Sequence, residues 1–239
     1  MSQSSVQRTV GVLGGMGPYA TASFFKTVLD LTPASKDWDH IRIVIDDNPH
    51  IPSRSRHFLY GEASPVPGMI DSCRRLSSYP VDFIAVPCNS ACYFLKDVRP
   101  HVPIPILDIV EVASKRMAEL LLRLGTVAPK CAVLGARITY AAKTYERALR
   151  DEGVTHVQHG EALQVGVESL IEAIKINRPS DEVQANWEEL RRELLRQVEV
   201  DGIILGCTEL GCLKTNDGKV SLLDSSEALA REVVSLARS

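Results

Sequence analysis

Residues 81–92 read VDFIAVPCNSAC, and residues 200–212 answer them with VDGIILGCTELGC. Val81-Asp82 matches Val200-Asp201, and Cys88 matches Cys207, 119 positions on. Each stretch is an apolar run of strand length that ends at a cysteine and then turns polar. Upstream, Val12-Leu13-Gly14 pairs with Val133-Leu134-Gly135 at an offset of 121. Downstream, Leu107-Asp108-Ile109-Val110-Glu111 pairs with Leu223-Asp224-Ser225-Ser226-Glu227 at an offset of 116. Three anchors in one order at nearly constant offset imply a duplicated unit far longer than a solenoid repeat, hence two domains. Each copy presents one thiol at the same place. Two such thiols facing a shared cleft suit chemistry on both faces of one small molecule.

Strand-like and helix-like segments alternate around these anchors. RTVGVLGGMGP (8–18) is a strand running into a glycine turn, and TASFFKTVLDLT (21–32) has helical spacing of apolar residues. IRIVIDDNPHIPSR (41–54) is a strand entering a proline loop, residues 53–68 a loop with a helical piece, and MIDSCRRLSSY (69–79) a helix. PIPILDI (103–109) is a strand and residues 109–124 a helix. In the second unit CAVLGA (131–136) is a strand, YAAKTYERALRDEG (140–153) a helix closed by Gly153, and THVQHG (155–160) a weak strand. VGVESLIEAIKINRPS (165–180) is a helix ending near Arg178-Pro179, and residues 180–200 form another, opened by a serine cap. DGIILGC (201–207) and VSLLDS (220–225) are strands, and SSEALAREVVSLAR (225–238) is the last helix. This alternation predicts an α/β fold: two pseudo-symmetric Rossmann-like (flavodoxin-like) domains with parallel sheets and the active site at the domain interface. The matching Leu-Asp strands place the first domain at 1–108 plus 222–239 and the second at 109–221, with the final helix packing on the first.

Composition narrows the function. The 239 residues are 45% hydrophobic and 24% charged, with a net charge of −3 and a pI near 6.1. That balance offers no general attraction to phosphate backbones, so nucleic acid is not an expected partner. No apolar run approaches the roughly 20 residues that span a bilayer, so no membrane is expected either. MSQSSVQR (1–8) lacks a signal peptide's apolar stretch, which points to a cytoplasmic protein with its six cysteines reduced.

Cys88 and Cys207 each follow a buried-looking strand and precede an expected helix start. In parallel sheets ligands sit beyond the carboxyl ends of the strands. A helix N-terminus there lowers a thiol pKa and attracts a carboxylate. Asn89-Ser90 and Thr208-Glu209 add polar groups at the same rim. The chemistry this suits is proton transfer by a thiol pair: one cysteine, as thiolate, takes a proton from carbon, and the other delivers one to the opposite face. Three other readings compete. A cysteine near a strand end is commonly a small core hydrophobe, the role assigned to Cys73 and Cys131. A disulfide is disfavoured by the compartment. Cys88, Cys92, Cys207 and Cys212 have zinc-like spacing but follow hydrophobic strands rather than knuckle turns, so no metal is expected. Gly11, Gly15 and Gly17 fit the GxxxGxG spacing of short-chain dehydrogenases, yet no tyrosine has a lysine four residues later and G-x-G-x-x-G is absent. A tight strand-to-helix turn that lets backbone approach a ligand is sufficient.

GVLGGMGP (11–18), IPSR (51–54), PCNSA (87–91) and LGCTEL (205–210) together resemble the aspartate/glutamate racemase superfamily. The likeness spans nearly the whole chain and is nearest to the aspartate racemase branch of two-cysteine enzymes. Glutamate racemases usually show DSG where this chain has Gly14-Gly15-Met16, and histidine where Glu209 stands. The resemblance implies that Cys88 and Cys207 are the acid/base pair, with Cys88 facing the D-enantiomer's α-hydrogen. It implies that Asn89, Ser90 and Thr208 hold the substrate's α-carboxylate or amino group, and that Arg54 recognises a carboxylate, with Lys175 as a second basic residue. Met16, Pro52, Ser53, Ala91, Thr139 and Glu209 complete the implied substrate-binding set. An amino-acid substrate, no cofactor, no pyridoxal phosphate and a homodimer are implied as well. Cys92 departs from the pattern, standing where the family commonly has histidine. The readings left open are a broad-specificity or glutamate racemase, a related isomerase or decarboxylase such as a maleate isomerase, and a non-catalytic amino-acid-binding protein.

Overall fold

Four apolar stretches of the first half pair in parallel: β1 (Val10–Gly14), β2 (Ile43–Asp47), β3 (Phe83–Val86) and β4 (Ile106–Asp108), in the order β2-β1-β3-β4. Every residue of β1 and β3 is buried, whereas β2 at the edge is partly open. A strand covered by helices on both faces needs a continuous apolar run, which VGVLG and FIAV supply. Full burial of a Val, Leu or Ile side chain contributes up to about 1.5–3 kcal/mol. The helices of this half are α1 (Pro18–Leu31), α2 (Arg54–Tyr60), α3 (Val66–Ser77), α4 (Asn89–Cys92) and α5 (Leu95–Val98). The computed structural model describes residues 7–177, 180–213, 218 and 220–239.

The second half repeats the plan. After α6 (Ile109–Arg123) come β5 (Lys130–Gly135), α7 (Arg137–Ala141), α8 (Thr144–Asp151), β6 (Thr155–His156), α9 (Glu161–Asn177) and α10 (Asp181–Gln197). β7 (Gly202–Gly206), a 3-10 turn at Thr208–Cys212, β8 (Ser221–Asp224) and α11 (Ser225–Ala237) complete the chain. The strand order is β6-β5-β7-β8, again all parallel, so each strand of one sheet has its counterpart in the other.

The recurring Val-Asp pair has a structural meaning. Asp82, at the entry to β3, accepts the backbone N–H of Thr9 on Oδ2 at 2.7 Å and donates its own N–H to the Thr9 carbonyl at 2.8 Å. Asp201, at the entry to β7, does the same to Lys130, at 2.8 and 2.9 Å. Each aspartate ties the third strand of its sheet to the start of the first.

The chain divides into two units, Met1–Ile109 with Ser226–Ser239, and Val110–Ser225. β8 bonds to β7, so residues 222–225 belong to the second unit and the return crossing falls after Ser225 rather than at 221. The C-terminal segment then joins the first unit, where the Ala237 carbonyl accepts the N–H of Arg8 at 3.0 Å. The helix expected over 140–153 is broken: Lys143, at φ 48°, separates α7 from α8. Ser180 caps α10 by accepting the Val183 N–H, as its position predicts, and Gly153 lies just past α8 in the left-handed region. The expected helix end at Arg178-Pro179 lies outside the described residues. No helix among the described residues is long and apolar enough to cross a membrane.

Candidate active site

β2 lies on one side of β1 and β3 on the other, so the strand order reverses at β1, and in such sheets ligands bind beyond the carboxyl ends of the strands at that point. The glycine turn after β1 is built for close approach. Gly15 has φ 84°, and a Cβ there would overlap the backbone of Asn48. Its N–H donates to Thr21 Oγ1 at 2.9 Å, and that hydroxyl donates to the Gly17 carbonyl at 3.0 Å. The clasp lies next to buried Met16, whose carbonyl oxygen is an acceptor at this rim.

Cys88 follows β3 in extended backbone (φ −147°, ψ 106°) and its Sγ donates to the Met16 carbonyl at 3.4 Å. Arg54, the first residue of α2, donates from Nη2 to the same oxygen at 3.0 Å. Its Nη1 donates to the carbonyls of Pro52 at 3.1 Å and Ile51 at 3.3 Å, while its buried Nε has no hydrogen-bond partner. Met16, Pro52, Arg54 and Cys88 therefore form one bonded cluster. Asn89 and Ala91 are buried beside Cys88 in α4, and Ser90 is half-buried. Ser53 is exposed and its hydroxyl caps α2 by accepting the Arg56 N–H. Cys92, where a histidine was expected from the resemblance, is buried and donates to the Cys88 carbonyl at 3.5 Å.

In the second unit Cys207 follows β7 in nearly the same backbone conformation (φ −144°, ψ 128°). Its Sγ donates to Glu209 Oε2 at 2.8 Å, which the Thr208 hydroxyl also approaches at 3.4 Å. Burial pushes the Cys207 thiol well above its ordinary value, and the Glu209 charge and hydrogen bond push it further. The expectation that a helix N-terminus lowers the thiol is therefore corrected at Cys207. A 3-10 turn rather than a helix follows Cys207, and there burial first and the adjacent carboxylate second drive the shift upward.

Lys175, in the last turn of α9, pairs with Glu172 at 2.8 Å and is exposed. Burial works against its ammonium, but the Glu172 hydrogen bond and the charges of Glu209, Glu172 and Cys207 outweigh it and raise its pKa. Lys175 thus stands in the field of the Cys207–Glu209 pair. Thr139 in α7 is buried, and its Oγ1 has no hydrogen-bond partner.

One polar network behind the second rim escapes sequence reasoning. Gln164 is fully buried and donates to the Gly135 carbonyl at 3.0 Å, at the carboxyl end of β5, and to Glu168 at 2.7 Å. Its Oε1 lies 3.1 Å from His159 Nε2, and Arg137 pairs with Glu168 at 2.7 Å. Burial lowers the His159 pKa, against the Gln164 hydrogen bond and the Glu161 charge. A glutamine inside an amphipathic helix gives no local sign of this partnership. Cys73 and Cys131 are fully buried, and burial raises their thiols, Cys73 to about 12. Among the described residues no group of three or more His, Cys, Asp or Glu side chains is placed to hold a metal ion.

Comparison with known proteins agrees with this layout. The Asp/Glu/hydantoin racemase family matches residues 13–233. The broad-specificity amino-acid racemase RacX of Bacillus subtilis is 31% identical over 231 residues, 95% of this chain and 96% of that protein. A glutamate racemase of Exiguobacterium sibiricum is 29% identical over 171 residues, 65% of this chain and 56% of that protein. Among solved structures, the Picrophilus torridus aspartate racemase superposes with a TM-score of 0.81 at 26% identity, covering 96% of this chain and 94% of that one. With two matching α/β units and a family match that runs through both cysteine turns, the chain belongs to the Asp/Glu/hydantoin racemase family.

Proposed function

We propose that this chain is a cofactor-independent amino-acid racemase, with Cys88 and Cys207 as its acid/base pair. The observation that carries this reading is the recurrence of one cysteine, in one backbone conformation, after the third strand of each parallel sheet. That rim is where such sheets bind ligands. In one direction Cys88, as thiolate, breaks the Cα–H bond and keeps the proton, and Cys207 gives its S–H proton to the opposite face. In the other direction the roles exchange. A positioned acid or base contributes roughly 10²–10⁴-fold, so the carbanion also needs donors at its carboxylate. Asn89, Ser90 and Thr208 supply them.

Aspartate is the leading substrate, with Arg54 and Lys175 the basic groups for its carboxylates, and the aspartate racemase relative supports this choice. A second reading, broad specificity, is favoured by Arg54 itself: its guanidinium is already spread over the carbonyls of Met16, Pro52 and Ile51. The RacX relative agrees with that reading. The test is incubation of the purified protein with each common L-amino acid in D2O, without pyridoxal phosphate. Deuterium at Cα together with the D-enantiomer, most with aspartate, is the expected result. Silence across the panel overturns the racemase reading and favours an amino-acid-binding protein.

A further inference from the structure

The duplication makes the two cysteine turns comparable residue by residue, and it exposes a difference. The position two past Cys88 holds Ser90, whereas the position two past Cys207 holds Glu209. Cys88 donates its S–H to a neutral peptide carbonyl, that of Met16 at 3.4 Å. Cys207 donates its S–H to a carboxylate, Glu209 Oε2 at 2.8 Å. The Glu209 side chain folds back over its own turn to reach the sulfur, and its backbone carbonyl accepts the Cys212 S–H at 3.2 Å.

A thiolate and a carboxylate this close repel, so the Glu209 charge opposes ionisation of the Cys207 thiol. We propose that Glu209 is a positioning residue that keeps Cys207 protonated at rest, so that the two cysteines enter the reaction in unequal states, Cys207 first as acid and Cys88 first as base. This rests on the two-cysteine reading above. For Cys207 to act as base, its S–H bond breaks and an O–H bond forms on Glu209 Oε2. The protonated carboxyl then donates back to the thiolate, which is free to take the Cα proton. Among the described residues, the other charged groups around the pair come from two elements packed on the turn. Lys175 of α9, paired with Glu172, favours the thiolate, and Asp224 of β8, against which a Cβ at Gly211 would collide, opposes ionisation at neighbouring Cys212. The raised Cys207 thiol, set first by burial and then by Glu209, is the net result.

Iodoacetamide alkylates thiolates, so its rate at each cysteine, read by tandem mass spectrometry between about pH 6 and about pH 10, reports each thiol separately. In the wild-type chain Cys207 alkylates slowly at neutral pH and speeds up only in the alkaline range; a Cys207 that alkylates at neutral pH as fast as a thiol of the unfolded chain overturns the proposal. Glu209→Gln moves the Cys207 profile toward neutral pH, with about tenfold faster alkylation at fixed pH for each unit moved, and leaves Cys88 unchanged. Glu209→Asp keeps the charge and stays near wild type. An unmoved Cys207 profile in Glu209→Gln, or equal movement of both cysteines, overturns the proposal. Fully buried Cys131 in the same unit stays unreactive while that unit is folded, so an unfolded variant is recognised and the wild-type Cys207 profile decides. Alkylation needs no substrate, so failure of the two-cysteine reading, seen as undiminished turnover in the cysteine variants, remains a separate result.

Discussion

Arg54 and Cys88 donate to the same atom, the Met16 carbonyl oxygen, at 3.0 Å and 3.4 Å. One peptide oxygen thereby joins the glycine turn after β1, the loop after β2 and the thiol after β3. The guanidinium sets where that oxygen sits, and the oxygen in turn orients the sulfur.

Arg54→Lys tests this arrangement. A lysine ammonium is a compact charge that cannot fork across the carbonyls of Met16, Pro52 and Ile51. Losing charge-assisted hydrogen bonds of this kind costs about 1–3 kcal/mol, read from the urea midpoint. Turnover falls with it, by about tenfold or more, because a displacement near 1 Å at a reacting group can cost about a hundredfold.

Gly15→Ala strikes the same turn from the backbone. Gly15 sits at φ 84° with Asn48 backbone in the way of a side chain, whereas Gly61, at φ 66°, faces open space. Gly61→Ala costs about 1 kcal/mol for the left-handed conformation alone. Gly15→Ala costs more than that and depresses activity, as paired urea titrations and racemisation assays would reveal.

Asp82→Ala and Asp201→Ala are a matched pair. Each removes the carboxylate that accepts the first backbone N–H of its sheet, Thr9 in one unit and Lys130 in the other. The expected loss is about 1–3 kcal/mol in each case. Chemical denaturation of the two variants should give similar losses, and a neutral result for either would contradict the clamp.

Stability should fall at alkaline pH. Burial, with the Asp46 charge, raises Cys73 to about 12, and burial also raises Cys131, Cys207 and Cys212. The folded chain keeps these protons while the unfolded chain releases them from about pH 8.5. Their stabilisation is fully present below that pH and is lost as pH climbs toward the folded values, about 12 for Cys73. Urea midpoints should decline between about pH 8 and about pH 10. Cys73→Ala should make that decline shallower, whatever it does to the midpoint at neutral pH.

The central strands were legible because burial on both faces leaves an unbroken apolar run, as in VGVLG and GIILG. The cysteine rim was legible because the chain states it twice. What stayed hidden depends on partners distant in sequence or on side-chain direction. Asp82 meets Thr9 across 73 residues, and Asp201 meets Lys130 across 71, so the repeated Val-Asp marked the duplication without disclosing its clamp. The break at Lys143 lies in AAKTYERAL, which carries helical periodicity and neither glycine nor proline. The rise of the Cys207 thiol comes first from burial and then from the rotamer that folds Glu209 back onto the sulfur, and no sequence pattern encodes that rotamer.

At the core of the proposed mechanism, Cys88 and Cys207 each handle a proton at one carbon. Its most direct test is racemisation of L- and D-aspartate in D2O by the wild-type chain, Cys88→Ser and Cys207→Ser, followed by chiral chromatography and mass spectrometry of the Cα position. Each substitution should slow inversion by about a hundredfold or more, while the surviving thiol still exchanges the α-proton of a single enantiomer, a different one in each variant. Full inversion by either variant would contradict the mechanism.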